Sequence, residues 1–542
     1  MTNREVAKIF NTLGKVMELH GESHFKTRSY TNAYLTIRKI TEPVTEMDIS
    51  TLQSIQGIGK AISEKIVELK ETGELRTLNK YLDITPVGIV DMLNIKGFGP
   101  KKIKTVWEGL GIESPGELLY ACEENRLIDL KGFGAKTQNT VMQQLKYFLE
   151  SKGKFLFGKI LPDALDILDH LQTMRPNDII DFCGDLDRKM PIINELTFLV
   201  TCDEETFSDQ ILTFAPFSFE EEKLTYNGIP FNIEYTDETM FASVKFQKSC
   251  SEQFLEQVIE SFGEIDNIYE EEEVFETLDI AFIPSECREN PIILDRAAAG
   301  ELSLISDQDI KGIIHNHSTY SDGLHSLSEM AEATKAKGFE YLVISDHSQA
   351  AFYANGLQEE RVQQQWTEID ELNAQWSDFR IFKGIESDIL NDGSLDYTND
   401  ILEGFDCVIA SIHSNLKMDL NKAMQRLIRA VENPYTKILG HPTGRLLLSR
   451  EGYPIDHEKL IDACVANNVV IEINANPLRL DIDWRWIDYI IKKDGMVSIN
   501  PDAHSIDGID DVRYGVIAAR KGGLMPEYCL NTFDLEAFKA WI

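Results

Sequence analysis

Lys311-Gly312-Ile313-Ile314-His315-Asn316-His317-Ser318-Thr319-Tyr320-Ser321-Asp322-Gly323 is the stretch on which the reading of the C-terminal half turns. Two imidazoles close a short apolar run, and a carboxylate follows in the next loop. The pattern recurs downstream. His347 ends YLVISDH, His413 ends CVIASIH, His441 ends KILGH and His504 ends MVSINPDAH, while Glu386 ends FRIFKGIE and Asp502 stands two before His504. Alternate residues of a strand share one face, so His315 with His317, and Asp502 with His504, are expected to point the same way. Imidazoles and carboxylates gathered at strand ends form a metal-ligand set.

Working outward, the apolar runs KGIIHNH, FEYLVIS, FRIFKGIE, FDCVIAS, TKILGH, VVIEINA and MVSINPD alternate with helical segments from about residue 308 onward. Strand–helix alternation of this kind predicts a parallel β/α barrel, whose functional groups collect at the C-terminal strand ends. His315, His317, Asp322, His347, Glu386, His413, His441, Asp502 and His504 are too many ligands for one ion and suit two or three. Imidazoles with bridging carboxylates favour Mn²⁺, with Zn²⁺ or Fe²⁺ as alternatives, over Ca²⁺ or Mg²⁺. Such ions activate water and clamp phosphoryl oxygens, so a hydrolase without a nucleophilic side chain is expected. His325 and His457 match no ligand position and are expected at the surface, and His20 and His24 are expected to be solvated.

The first 150 residues are helical in pattern and carry an internal repeat: Ile55-Gln-Gly-Ile-Gly59, Ile95-Lys-Gly-Phe-Gly99 and Leu130-Lys-Gly-Phe-Gly134. Lysines follow each copy: Lys60 and Lys65, then Lys101, Lys102 and Lys104, then Lys136. Two glycines around an apolar residue make a tight turn between helices, whose outward N–H groups can seat a phosphate oxygen at the next helix's N-terminus. The repeat resembles the helix-hairpin-helix motif of DNA repair and replication proteins. That resemblance implies backbone binding without sequence readout, through Gly57, Gly59, Lys60, Gly97, Gly99, Lys101, Lys102, Gly132, Gly134 and Lys136.

The order H-x-H…SDG…DH…E…H…HP…D-x-H resembles the polymerase-and-histidinol-phosphatase (PHP) family of phosphoesterases, and all nine ligand positions match. Hairpin repeats, a mixed middle segment and then this barrel are the layout of bacterial family X DNA polymerases. The stretches EEEVFETLDIAFIPSECREN and SIDGIDDVRYGVIAARKGGL carry the likeness through the linker to the C-terminus. The implied architecture is multidomain. Residues 1–85 form a helical domain with the first hairpin, and 86–150 a hairpin-bearing fingers-like domain. Residues 151–300 form a degenerate, nucleotidyltransferase-like α+β palm and thumb, and 301–542 a distorted (β/α)7 PHP barrel.

The likeness fails at the polymerase site. Where the family has Gly-Ser-x-Arg-Arg, this chain has Gly184-Asp185-Leu186-Asp187-Arg188, and the Asp-x-Asp pair becomes Glu195-Leu196-Thr197. Asn232 stands at the third aspartate, and Lys248-Ser249-Cys250 replaces Thr-Gly-Ser. Two-metal transfer needs carboxylates to hold both ions, so the polymerase activity is expected to be lost. Lys65 occupies the position of a Schiff-base lysine in relatives that remove a 5′-deoxyribose phosphate, and lyase chemistry there is the weaker reading.

Charge is distributed in a way that agrees. The chain of 542 residues carries a net −37, yet residues 1–150 hold 20 Lys+Arg against 19 Asp+Glu. Residues 151–300 hold 11 against 32, and 301–542 hold 22 against 39. Contact with a polyanion therefore begins in the first 150 residues. No apolar run reaches the roughly 18 residues of a membrane span, MTNREVAKIF reads as helix rather than signal peptide, and eight cysteines without C-x-x-C suit a reducing cytoplasm. The expectation is a cytoplasmic, nucleoid-associated, metal-dependent 3′-to-5′ exonuclease or 3′-end processing enzyme. It would act in repair on gapped, nicked or 3′-ended duplex, with a monomer as the working state. The alternatives are an active gap-filling polymerase with exonuclease, a histidinol-phosphatase-like small-molecule phosphatase, and a non-catalytic scaffold.

Overall fold

The computed structural model describes the chain except residues 116–117, 119–120, 123–126, 128–129, 131, 151–153, 212, 215, 221–222, 264, 266–267 and 449–450. It divides into two compact units, Met1–Lys152 and Gly153–Ile542.

The first unit is helical among its described residues. Thr2 and Glu5 form a capping box that starts helix Asn3–Leu19, and the spacing of Val6, Phe10, Leu13 and Met17 buries one face. The three repeats fold alike. The N–H groups of Ile58, Phe98 and Phe133 donate to the carbonyls of Ile55, Ile95 and Leu130. Gly57, Gly97 and Gly132 sit at φ 96°, 76° and 88°, in the left-handed region that a side chain disfavours. The apolar residue between each glycine pair turns inward, fully in the case of Ile58 and Phe98. Gly59 and Gly99 then open helices Lys60–Thr72 and Pro100–Leu110 with no side-chain cap, which leaves first-turn N–H groups, starting at Lys60 in one and at Lys101 after the proline in the other, for an outside acceptor.

In the second unit, β1 (Phe155–Leu156) pairs with β3 (Ile192–Ile193). A five-stranded sheet has β2 (Ile180–Cys183), β4 (Thr197–Val200), β5 (Phe217–Glu220), β6 (Lys223–Tyr226) and β7 (Ile229–Tyr235) in the order β2-β4-β7-β6-β5. The β4–β7 pairing is parallel and the others antiparallel. Helix Phe157–Met174 lays Ile160, Ala164, Ile167 and Leu171 on this sheet, against Ile180, Phe198 and Val200. Leu480, Tyr514 and Ala518 from the C-terminal part complete the same core.

The remaining strands are β8 (Gly312–Ile313), β9 (Tyr341–Ile344), β10 (Arg380–Asp388), β11 (Cys407–Ser411), β12 (Thr436–Leu439), β13 (Val470–Asn474) and β14 (Val497–Asn500). All pair in parallel and in sequence order. A parallel bridge between Asn316 and Ala503 brings the two ends together, giving a nearly closed seven-stranded barrel. Its strands are rich in buried Val, Ile and Leu because helices cover the outside while side chains fill the inside.

Two expectations about strand geometry need correction. His315 and His317 do not share a strand face, because β8 ends at Ile313 and His315 lies at φ 61°. Nor do Asp502 and His504 lie on β14, which ends at Asn500, with Asp502 at φ 52°. The chain leaves the sheet before each ligand pair, and the imidazoles converge through left-handed turns that cost roughly 1–3 kcal/mol each.

Candidate metal centre

All nine predicted ligand residues converge at the C-terminal mouth of the barrel. They form overlapping groups: His317, Asp322, His347 and His504; His315, Glu386 and His441; His315, His317 and Asp502; His347, Glu386 and His413. Within each group the ligand atoms lie inside 4.8 Å of one another. Glu386 is central. Its Oε1 is 3.0 Å from His441 Nε2, 3.1 Å from His413 Nε2 and 3.2 Å from His315 Nε2, and its Oε2 is 2.8 Å from His347 Nδ1. Asp502 Oδ1 lies 3.0 Å from His317 Nε2, and Asp322 Oδ1 lies 3.4 Å from His504 Nε2.

Residues outside this set hold it in place. His315 Nδ1 meets Glu472 Oε1 at 2.5 Å, and His413 Nδ1 meets Asp388 Oδ1 at 2.9 Å. Glu472 Oε2 also accepts from the His441 backbone N–H at 2.6 Å, and Asn474 Nδ2 donates to Asp502 Oδ2 at 3.0 Å. Asp346, fully buried, accepts from the N–H and hydroxyl of both Ser318 and Ser321 and from Gln365 Nε2. That network fixes the loop carrying His317 and Asp322. Such partners lock imidazole tautomers and orientation.

The donor set fits divalent ions. His315 Nε2, His317 Nδ1, His441 Nδ1 and Glu386 Oε2 are buried without a hydrogen bond, an expensive state for polar atoms that an ion relieves. Without ions, protons must balance the charge. Burial disfavours the charged form of His413, but Glu386 and Asp388 outweigh it and lift its pKa to about 10. Burial likewise opposes His504, and Asp322 and Asp502 raise it to about 9. Burial, reinforced by His504 and His347, pushes His317 down to about 3. Burial raises Glu386 and Asp502 too, yet the surrounding imidazoles hold both carboxyls well below their usual range. A cation bound among these side chains would compete with such protons.

The other predicted positions are less gathered. Lys65 Nζ donates to Thr77 Oγ1 at 3.0 Å. Lys60, Lys101 and Lys136 are exposed, and Lys102 Nζ donates to the Gly97 carbonyl at 3.2 Å. In the middle sheet, Thr197 pairs with Asn232 across β4 and β7. Asp185 accepts from Arg188 Nη2 at 2.8 Å and from Asn194 Nδ2 at 2.9 Å. Lys248 Nζ bonds Glu234 Oε1 at 3.0 Å.

Three placements differ from expectation. His20 packs between Tyr81 and Trp107 and bonds Thr85 Oγ1 at 2.7 Å, because its helix face turns inward. His325 Nδ1 accepts from the Ile506 N–H at 3.3 Å, and His457 stacks on Trp486 at 4.5 Å, so both are half-buried. Sequence reading missed Glu472, Asp388 and Asp346. The signal was a carboxylate inside an apolar strand, as in VVIEINA.

Fold and site define a PHP-type phosphoesterase barrel. The PHP domain family model matches residues 314–476, a helix-hairpin-helix domain model matches 1–75, and a SAM-like helix-hairpin-helix tandem model matches 89–146. The DNA polymerase/3′-5′ exonuclease PolX of Bacillus subtilis is 34% identical over 571 aligned positions, covering 100% of this chain and 99% of that protein. A probable phosphatase of Thermoanaerobacter sp. is 30% identical over 167 residues, 30% of this chain and 62% of that protein. The chain belongs to the PolX family, the bacterial family X polymerases that carry a C-terminal PHP domain. Among the described residues, no helix is long and apolar enough to cross a membrane.

Proposed function

We propose that this chain is a DNA-directed 3′-to-5′ exonuclease or 3′-end processing phosphoesterase of the cytoplasm, and that it has lost polymerase activity. The observation that supports this is the nine-residue cluster in the barrel, which has no counterpart in the middle sheet among the described residues. Among the described residues, every group of three or more side chains able to hold an ion lies in the barrel.

His315, His317, Asp322, His347, Glu386, His413, His441, Asp502 and His504 would hold two or three divalent ions, Mn²⁺ first among them. When bound, such ions supply an activated water near neutral pH and neutralise phosphoryl charge. Glu472 and Asp388 orient His315 and His413. Asp322, a third exposed, faces the solvent side from which substrate arrives. The hairpin glycines and lysines would hold duplex backbone irrespective of sequence.

Thr197 and Asn232 offer neutral oxygens where two-metal transfer needs carboxylates, and Asp185 and Asp187 replace groups that bind a triphosphate. Division into four domains at 85, 150 and 300 accompanies this reading, with 151–300 acting as scaffold. The full-length likeness to a named polymerase favours the alternative of an active gap-filling enzyme, so the test must separate the two. A 5′-labelled primer in a one-nucleotide gap is incubated with Mn²⁺ and all four nucleotides. A shortened primer is expected. An extended one sinks the claim of lost polymerase activity.

A further inference from the structure

β8 and β14 stand at the two ends of the strand order, and among the described residues no strand ladder joins them beyond the bridge of Asn316 with Ala503 at the mouth. Unpaired backbone groups inside a barrel wall are costly. The segment Cys529–Thr532 fills the seam. Cys529 makes a parallel bridge with Val497, and Leu530 is fully buried among Tyr341, Val343, Phe382 and Ile438. Asn531, also fully buried, does the pairing. Its Oδ1 accepts from the Ile499 N–H at 2.8 Å, and its Nδ2 donates to the Ile499 carbonyl at 2.9 Å and to the Gly312 carbonyl at 3.1 Å. Its own carbonyl accepts from the Lys311 N–H at 2.7 Å. One carboxamide thus gives β14 the donor and acceptor that a neighbouring strand would offer, and ties it to β8.

The residue after Ile499 reaches the metal ligands. Asn500 Nδ2 donates to Glu472 Oε1 at 2.9 Å, and that same oxygen lies 2.5 Å from His315 Nδ1. Asn500, Glu472 and His315 are all fully buried. The Asn500 carbonyl accepts from the Ala475 N–H at 2.6 Å, so the backbone here is held from both flanks. The chain following β13 holds one flank, and Asn531, through Ile499, holds the other. A strand that cannot shift keeps the Asn500 donor aimed at Glu472.

We propose that Asn531 is a positioning residue for the metal centre: by clasping the barrel seam it fixes Asn500 against Glu472, the carboxylate that orients His315. This rests on the reading of the nine-residue cluster as a metal site. It extends the support of that site to the C-terminal segment, beyond the residues that the PHP model matches. Removing a partner that orients a ligating imidazole typically weakens metal binding about 10–100-fold. A residue further out along the same chain of contacts is expected at the lower figure.

The test uses the full-length protein, stripped of metal and titrated with Mn²⁺ by calorimetry. Asn531→Ala is expected to lower the affinity roughly tenfold, and to speed deuterium exchange of the Ile499 and Lys311 amides. In a Glu472→Gln background the same substitution is expected to cost no further affinity, because the path is already cut. Asn500→Ala breaks the chain nearer the metal and leaves the clasp intact. It should match the affinity loss with exchange at Lys311 unchanged, and it decides the question if Asn531→Ala does not fold. Unchanged affinity in either variant overturns the proposal, and so does a fully additive loss in the Glu472→Gln background. An equal loss in Lys521→Met, which lies outside this chain of contacts, would show general loosening and overturn it too. If wild type takes up no Mn²⁺, the metal-centre reading falls and the proposal with it; wild-type uptake with an unaffected Asn531→Ala sinks the proposal alone.

Discussion

Glu472 Oε1 lies 2.5 Å from His315 Nδ1, and both side chains are fully buried. The carboxylate belongs to β13, the imidazole follows β8, and 157 positions separate them in sequence. The contact leaves His315 Nε2 facing Glu386 and Asp502.

Glu472→Gln should therefore leave the barrel folded but loosen the orientation of His315. Metal affinity is expected to fall about 10–100-fold, as for other partners that orient ligating imidazoles. Titration of the metal-free protein with Mn²⁺, followed by calorimetry, reads this directly; an unchanged affinity refutes the role.

His315→Ala or His504→Ala should abolish phosphodiester cleavage while retaining DNA binding, since the hairpins lie elsewhere in the chain. Primer degradation and electrophoretic retardation measured on the same preparation check both halves. Cleavage by a variant shown to be metal-free would refute the assignment.

Rising pH acts on the metal-free barrel through two of its imidazoles. His413 and His504 have pKa values raised to about 10 and about 9 by their carboxylate neighbours. A raised imidazole pKa contributes stability that is complete below about 6.5 and lost as pH rises through the folded value. The Tm of the chelator-treated protein is expected to decline from pH 7 to 10. Saturating Mn²⁺ should remove that decline, because the ion replaces the protons. Parallel thermal scans with and without Mn²⁺ test it; identical slopes would refute it.

Lys101→Glu with Lys136→Glu should weaken DNA binding about equally for all sequences, and reduce the steepness with which affinity falls as salt rises. Fluorescence anisotropy on two unrelated duplexes at several salt concentrations measures both. A sequence-dependent loss would argue against backbone contact.

Lys521 is completely buried. Its Nζ reaches the Arg188 and Glu286 carbonyls and lies 3.4 Å from Glu289 Oε1, joining helix Val512–Lys521 to the middle segment. Removing one partner from a buried polar network typically costs about 3–5 kcal/mol. Lys521→Met is expected near the lower figure, since Arg188 still pairs with Glu289 at 3.2 Å. The shift in the chemical-denaturation midpoint measures it.

By itself the sequence determined the barrel and the histidines and carboxylates that gather at its mouth. Seven apolar runs can be buried on both faces only when helices cover a parallel sheet, and ligands that end such runs all reach one mouth. The three hairpins were equally legible, because a left-handed turn at Gly57, Gly97 and Gly132 is a local requirement written in the residue itself. Tertiary structure alone decided how His315 and Asp502 aim their side chains, since left-handed turns after the strands set the angles. It also chose Glu472, Asp388 and Asp346 as the groups that fix those angles, and placed Arg479 beside Asp502. Such partners lie far apart along the chain, and a hydrogen bond over that distance leaves no periodicity or spacing in the sequence. It exists only once the barrel has closed.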